Sequence, residues 1–94
     1  MLLATEFVEL LSIIINEIQQ YNISCEGCSN FILESARMLI EEMEIQTEEE
    51  EELVIDEICM LLLVDPAIKR QHNQHQLDQL MDDFIIQIKR RKRK

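Results

Sequence analysis

Glycine and proline are almost absent from this chain, and this scarcity restricts the folds that it can adopt. The 94 residues include one glycine, Gly27, and one proline, Pro66. Sheets built from hairpins need glycine, proline and asparagine where the chain reverses. The most frequent residues are instead helix formers such as leucine, glutamate and glutamine. The hydrophobic content of 47% is too high for a disordered chain, so the composition predicts a single all-α domain.

Apolar residues recur at helical spacing in four segments of the chain. These segments cover, approximately, residues 5–21, 25–44, 48–64 and 66–88. Short connections between amphipathic helices favour antiparallel neighbours. The sequence therefore predicts a small antiparallel bundle of about four helices.

Capping residues precede three of the predicted helices. The hydroxyl oxygen of Ser24 can accept a hydrogen bond from a backbone amide in the first turn of the second helix, where that amide has no partner within the helix. Thr47 followed by Glu50 forms a capping box before the third. Asp65 and Pro66 end the third helix and begin the fourth, because proline fits the first helical position but cannot continue a helix.

A fully polar run from Lys69 to Gln76 leaves two alternatives for the fourth segment. The run is either the exposed start of one long helix or a loop between two helices. Apolar periodicity resumes at Leu77. We expect one helix whose early part projects from the bundle.

Acidic and basic residues are separated along the chain. Residues 1–65 carry 16 Asp and Glu against one basic residue, Arg37, which gives a formal charge of −15. Residues 66–94 carry 3 Asp against 8 Lys and Arg, which gives +5. An acidic body of this size repels nucleic acid, so we expect no nucleic acid as a partner.

The basic residues are concentrated at the C-terminal end, in Lys89–Lys94. We therefore divide the chain into a helical domain, residues 1–88, and a basic tail, residues 89–94. The tail complements the dipole of a helix C-terminus. The nearest opposite charge is the acidic body of the same or a neighbouring subunit. Each exposed ion pair between the tail and this body would contribute about 0–1 kcal/mol to stability.

Cys25-x-x-Cys28 is the one motif whose spacing suggests chemistry. At a helix start the thiol pKa falls, but a redox site also needs a preceding strand, and a helix is predicted there. A zinc site would need His72 and His75 as further ligands, but 43 residues separate Cys28 from His72. We expect no metal, no cofactor and no enzyme activity.

The segment Cys25–Leu33, together with Cys59, resembles the first half of a saposin-type domain. The resemblance implies a helical lipid-binding module held together by disulfides. It covers about 35 residues, and no cysteine follows Cys59. With three cysteines, no apparent secretory signal and no apolar run long enough to span a bilayer, we expect reduced thiols in a cytoplasmic protein.

Surplus apolar residues suggest contact with another protein. The run Ile58–Val64 is apolar on every side, and the first helix has a wide apolar arc. One small bundle does not need this much apolar surface, so we expect a homodimer. We also expect an adaptor, assembly factor or regulator whose groove accepts a helix or peptide, which can be basic. The expected contact residues are Ile13, Ile15, Met60, Leu62 and Leu63.

The acidic body suggests an alternative function. A protein with this charge can imitate nucleic acid and block the basic groove of a nucleic-acid enzyme. Against this alternative, the five consecutive glutamates Glu48–Glu52 stand at a helix start. A mimic would distribute its charge along a strip.

Overall fold

Helices form most of the computed structural model, which describes residues 2–20 and 28–91. The described residues form five α-helices and two short strands, so the predicted all-α class is confirmed. In chain order the elements are β1 (Leu2–Leu3), α1 (Ala4–Gln20), α2 (Cys28–Glu42), β2 (Met43–Glu44), α3 (Glu48–Val64), α4 (Pro66–Gln71) and α5 (Gln74–Arg91). No helix in this described part is long and apolar enough to cross a membrane.

The ends of α3 are fixed by the two caps predicted from the sequence. Thr47 Oγ1 accepts a hydrogen bond from the Glu50 amide at 3.1 Å, and its hydroxyl donates to Glu50 Oε1 at 3.2 Å. At the other end, the Asp65 amide donates to the Leu61 carbonyl at 3.3 Å. Asp65 Oδ1 in turn accepts from the Ile68 amide at 3.3 Å and so caps α4. The predicted boundaries of the third helix are confirmed.

The expectation of one long helix after Pro66 is wrong, because the chain forms α4 and α5 with a break at His72 and Asn73. His72 Nδ1 donates a hydrogen bond to the Ile68 carbonyl at 2.8 Å. The side chain thus bonds a backbone carbonyl in the last turn of α4. Asn73 Oδ1 accepts from the Gln76 amide, and Gln76 Oε1 accepts from the Asn73 amide, both at 2.9 Å. This reciprocal capping starts a new helix within the polar run, where the sequence predicts one continuous helix.

The second predicted helix ends two residues earlier than expected. Met43 and Glu44 leave α2 and pair in parallel with Leu2 and Leu3. Met43 is buried by this arrangement, as is Ala4 at the start of α1. The expected cap, Ser24, lies outside the described residues.

One hydrophobic core connects all five helices. α3 packs against both α1 and α5, while α2 packs against α1, α4 and α5. The radius of gyration is 12.9 Å, close to the value of about 12 Å for a folded domain of this length. Fully buried side chains contribute about 1.5–3 kcal/mol each. The largest of them are Phe7, Leu11, Ile32, Ile40, Ile45, Ile58, Leu62, Ile68, Phe84 and Ile88.

Candidate protein-binding surface

Apolar side chains form an exposed stripe along α3. Leu53, Met60 and Val64 follow one another at intervals of seven and four residues, which places them on one face of the helix. Met60 is 60% exposed and Val64 is 65% exposed. Glu57 lies on the same face between Leu53 and Met60. We call these four residues the α3 stripe, and exposed apolar side chains grouped on one helix face can mark an interaction site.

A groove of about 420 Å³ lies beside the α3 stripe, between α1 and α3. Ser12 Oγ donates a hydrogen bond to Glu57 Oε1 at 3.3 Å and links the two helices. The groove, called here the α1/α3 groove, is lined by Ser12, Ile15, Asn16, Glu57, Met60, Leu61, Val64, Asp65 and Pro66. The apolar stripe and the groove therefore form one continuous surface.

The two helices that flank the groove carry negative charge only. α1 and α3 contain no lysine or arginine. Their acidic residues are Glu6, Glu9, Glu17, Glu48, Glu49, Glu50, Glu51, Glu52, Asp56 and Glu57. The groove therefore lies in a negative field, which raises the local concentration of positively charged groups.

The structure brings two of the five expected contact residues together. Ile15 and Met60 line the α1/α3 groove from opposite helices. Ile13 is exposed on α1, and Leu63 is exposed on α3, but neither lines the groove. Leu62 is fully buried in the core and presents no surface to a partner.

Several exposed apolar residues are not among the five contact residues expected from the sequence. Val64 and Leu53 share a helix face with Met60, and this spacing was the signal that could have identified them. On α2, Phe31 is 58% exposed and Met38 is 61% exposed. These two residues are seven positions apart and lie on the outer face of the helix, called here the α2 face.

A second cavity, of about 750 Å³, lies between α2 and α5. Arg37, the single basic residue among residues 1–65, lies over the Phe84 ring at 5.4 Å and pairs with Glu34 at 3.6 Å. The Arg37 carbonyl accepts from Gln87 Nε2 at 3.3 Å. The cavity is lined by Arg37, Glu41, Asp83, Ile86, Gln87, Arg90 and Arg91. Three arginines and two carboxylates therefore share this lining.

Metal-binding and nucleophilic residues are the next features to locate in the described part of the chain. Among residues 2–20 and 28–91, no group of three or more His, Cys, Asp or Glu could hold a metal ion. Cys25 and the side chain of Cys28 lie outside the described part. The redox and zinc alternatives therefore rest on the sequence alone. Cys59 lies 4.0 Å from the Met81 sulfur, and burial, followed by the nearby negative charge of Asp56, raises its thiol pKa. A raised pKa makes a thiol a poor nucleophile at neutral pH.

Similarity to known proteins does not assign a partner to the α1/α3 groove. No family model, no curated protein and no solved structure matches this chain. Any role of the α1/α3 groove therefore has to be argued from its shape, its apolar residues and its charge.

Proposed function

We propose that this chain is a small antiparallel helical bundle that acts as a protein–protein interaction module, and that it is not an enzyme. It serves as an adaptor, assembly factor or regulator and holds a segment of its partner in the α1/α3 groove. The α3 stripe is the observation that carries this proposal. Leu53, Met60 and Val64 are exposed next to a groove that already has an apolar lining from Ile15.

Binding through this surface is driven by removal of apolar side chains from water. Covering Met60 and Val64 removes the two most exposed apolar residues of the α3 stripe from solvent. Each contributes up to about 1.5–3 kcal/mol when fully buried. Association also costs translational and rotational freedom, so a stable complex needs further contacts along the rim of the groove.

A photo-crosslinking amino acid placed at Met60 tests the proposal in the native cell. We expect one reproducible crosslinked protein, because Met60 lies inside the groove. The matched control is the same amino acid at Gln79, an exposed position on α5 outside the groove. Val64→Asp should abolish the Met60 crosslink without lowering the melting temperature. Identical products from Met60 and Gln79, or none from Met60, would contradict the proposal.

Self-association is the second part of this proposal. The support for a homodimer is the α2 face, where Phe31 and Met38 are exposed. α2 carries three glutamates and one arginine, so two copies of it repel one another less than two copies of α1 and α3. We also propose a cytoplasmic location, which suits the free thiol of Cys59.

Imitation of nucleic acid remains the alternative function. Its support is the acidic surface of α1 and α3. The α3 stripe favours the interaction module, because Leu53, Met60 and Val64 interrupt the acidic residues and apolar side chains do not replace phosphates. Competition of the protein with duplex DNA for a basic nuclease groove would support the alternative.

A further inference from the structure

A carboxylate lies in the middle of the apolar binding surface. Glu57 belongs to the α3 stripe, between Leu53 and Met60, and also lines the α1/α3 groove. It is half-buried, and Ser12 holds one of its oxygens by a hydrogen bond of 3.3 Å. We propose that the groove accepts a basic amphipathic helix of a different protein, and that an arginine within the apolar stripe of that helix pairs with Glu57. This inference rests on the proposed function and specifies its partner.

The shape of the surface favours a helical partner. The α3 stripe extends over eleven residue steps, from Leu53 to Val64, which is about 16 Å along a helix. Two packed helices leave between them a groove in which a third helix can lie. Anchors on such a partner recur at helical spacing along one side, and the spacing of the α3 stripe matches this pattern.

The charge of the surface favours a basic partner. Ten acidic residues and no basic residue belong to α1 and α3. Lysines and arginines beside the apolar stripe of the partner would face these carboxylates. An arginine can also bind a carboxylate by two charge-assisted hydrogen bonds, which are stronger than neutral ones. Because Ser12 already orients Glu57, less side-chain freedom is lost when the pair forms.

A second copy of this chain fits the groove poorly. A symmetric pairing through α1 and α3 would bring together two pairs of helices whose charged residues are all acidic, and like charges in contact are costly. The basic end of α5 does not solve this problem. Phe84 and Ile88 are buried in the core of their own subunit, and Ile86 is the apolar residue that this end of α5 exposes. One exposed side chain does not supply the row of anchors that the α3 stripe requires.

Binding of two designed helical peptides to the full-length protein tests the inference. Both peptides carry the same apolar stripe with lysines beside it, and they differ only at the central position, which is arginine in one and glutamate in the other. We expect the arginine peptide to bind at least about tenfold more tightly, as for a single charge-assisted contact. Added salt should weaken its binding. Fluorescence anisotropy gives both dissociation constants.

Variants of the protein assign the preference to Glu57. Glu57→Gln keeps the shape of the side chain and removes its charge, so the preference for arginine should fall to within about twofold. The matched control is Asp56→Asn, an exposed neighbour that does not line the groove, and it should leave the preference unchanged. Circular dichroism of each variant confirms that the fold is retained.

The possible failures are distinguishable. Equal binding of the two peptides would overturn the recognition of arginine, yet would leave the groove as a docking site. If neither peptide binds but Met60 still gives a specific crosslink, the proposal of a basic helical partner is overturned, whereas the proposed docking function stands. Equal losses in Glu57→Gln and Asp56→Asn would show attraction by overall charge and would also overturn the role of Glu57. A protein dimer that Val64→Asp dissociates would identify the groove as a self-association surface and overturn the proposed partner.

Discussion

Leu62 and Leu63 are adjacent in α3 but have opposite environments. Leu62 is 0% exposed, whereas Leu63 is 46% exposed. We expect Leu62→Glu to unfold the protein, because an unpaired buried charge costs several kcal/mol. Leu63→Glu, the matched control, should change stability by no more than about 0.5 kcal/mol. Urea unfolding followed by circular dichroism measures both, and similar effects of the two changes would contradict the assignment of Leu62 to the core.

Cys59 should react slowly with alkylating reagents in the folded protein. Burial and the charge of Asp56 raise its pKa, so little thiolate is present at neutral pH. The folded state therefore holds the thiol proton more tightly than the unfolded state does. The resulting stabilisation is present below the ordinary cysteine pKa and is lost as the pH rises through the raised pKa. Mass spectrometry of the Cys59 peptide after iodoacetamide treatment, with and without urea, checks this; equal rates would contradict it.

The helices differ in how clearly the sequence marks them. α3 was predictable at both ends, because Thr47, Glu50 and Asp65 are strong local signals whose bonds the structure contains. A break between α4 and α5 is one of the two alternatives that the polar run allows, but the favoured one is a single helix, although Asn73 and Gln76 have the spacing of a capping pair. The strand pairing of Leu2 with Met43 depends on contacts between distant residues, so no local pattern indicates it.

The cap at Asn73 should contribute measurably to stability. Asn73→Ala removes the side-chain acceptor of the Gln76 amide, and loss of such a cap costs about 0.5–2 kcal/mol. A loss of about 1 kcal/mol lowers the melting temperature of a domain of this size by about 4–8 °C. Gln79→Ala, at an exposed position within α5, should have almost no effect because alanine favours helix. An unchanged melting temperature in Asn73→Ala would show that α5 does not depend on this cap.

At the scale of the whole molecule, the sequence indicates a surplus of apolar residues but not which of them stay exposed. The surplus of apolar residues and the acidic charge of the first 65 residues were both visible in the chain. Which apolar residues remain outside the core depends on how the helices pack. Leu62 is among the expected contacts and Val64 is not, although both belong to the apolar run Ile58–Val64; α3 turns Leu62 towards the core and leaves Val64 beside the groove. Only the packed structure distinguishes them.

The predicted homodimer provides a test of how the two exposed surfaces divide their roles. We expect light scattering across a dilution series to give about twice the monomer mass of 11.2 kDa. The combined change Phe31→Glu and Met38→Glu should produce a monomer, because it places charge on the α2 face where the two copies would meet. Val64→Asp should leave the dimer intact, because the acidic α1/α3 groove repels its own copy. A monomeric mass for the unchanged protein at every concentration would contradict the homodimer and would leave Phe31 and Met38 available to a different partner.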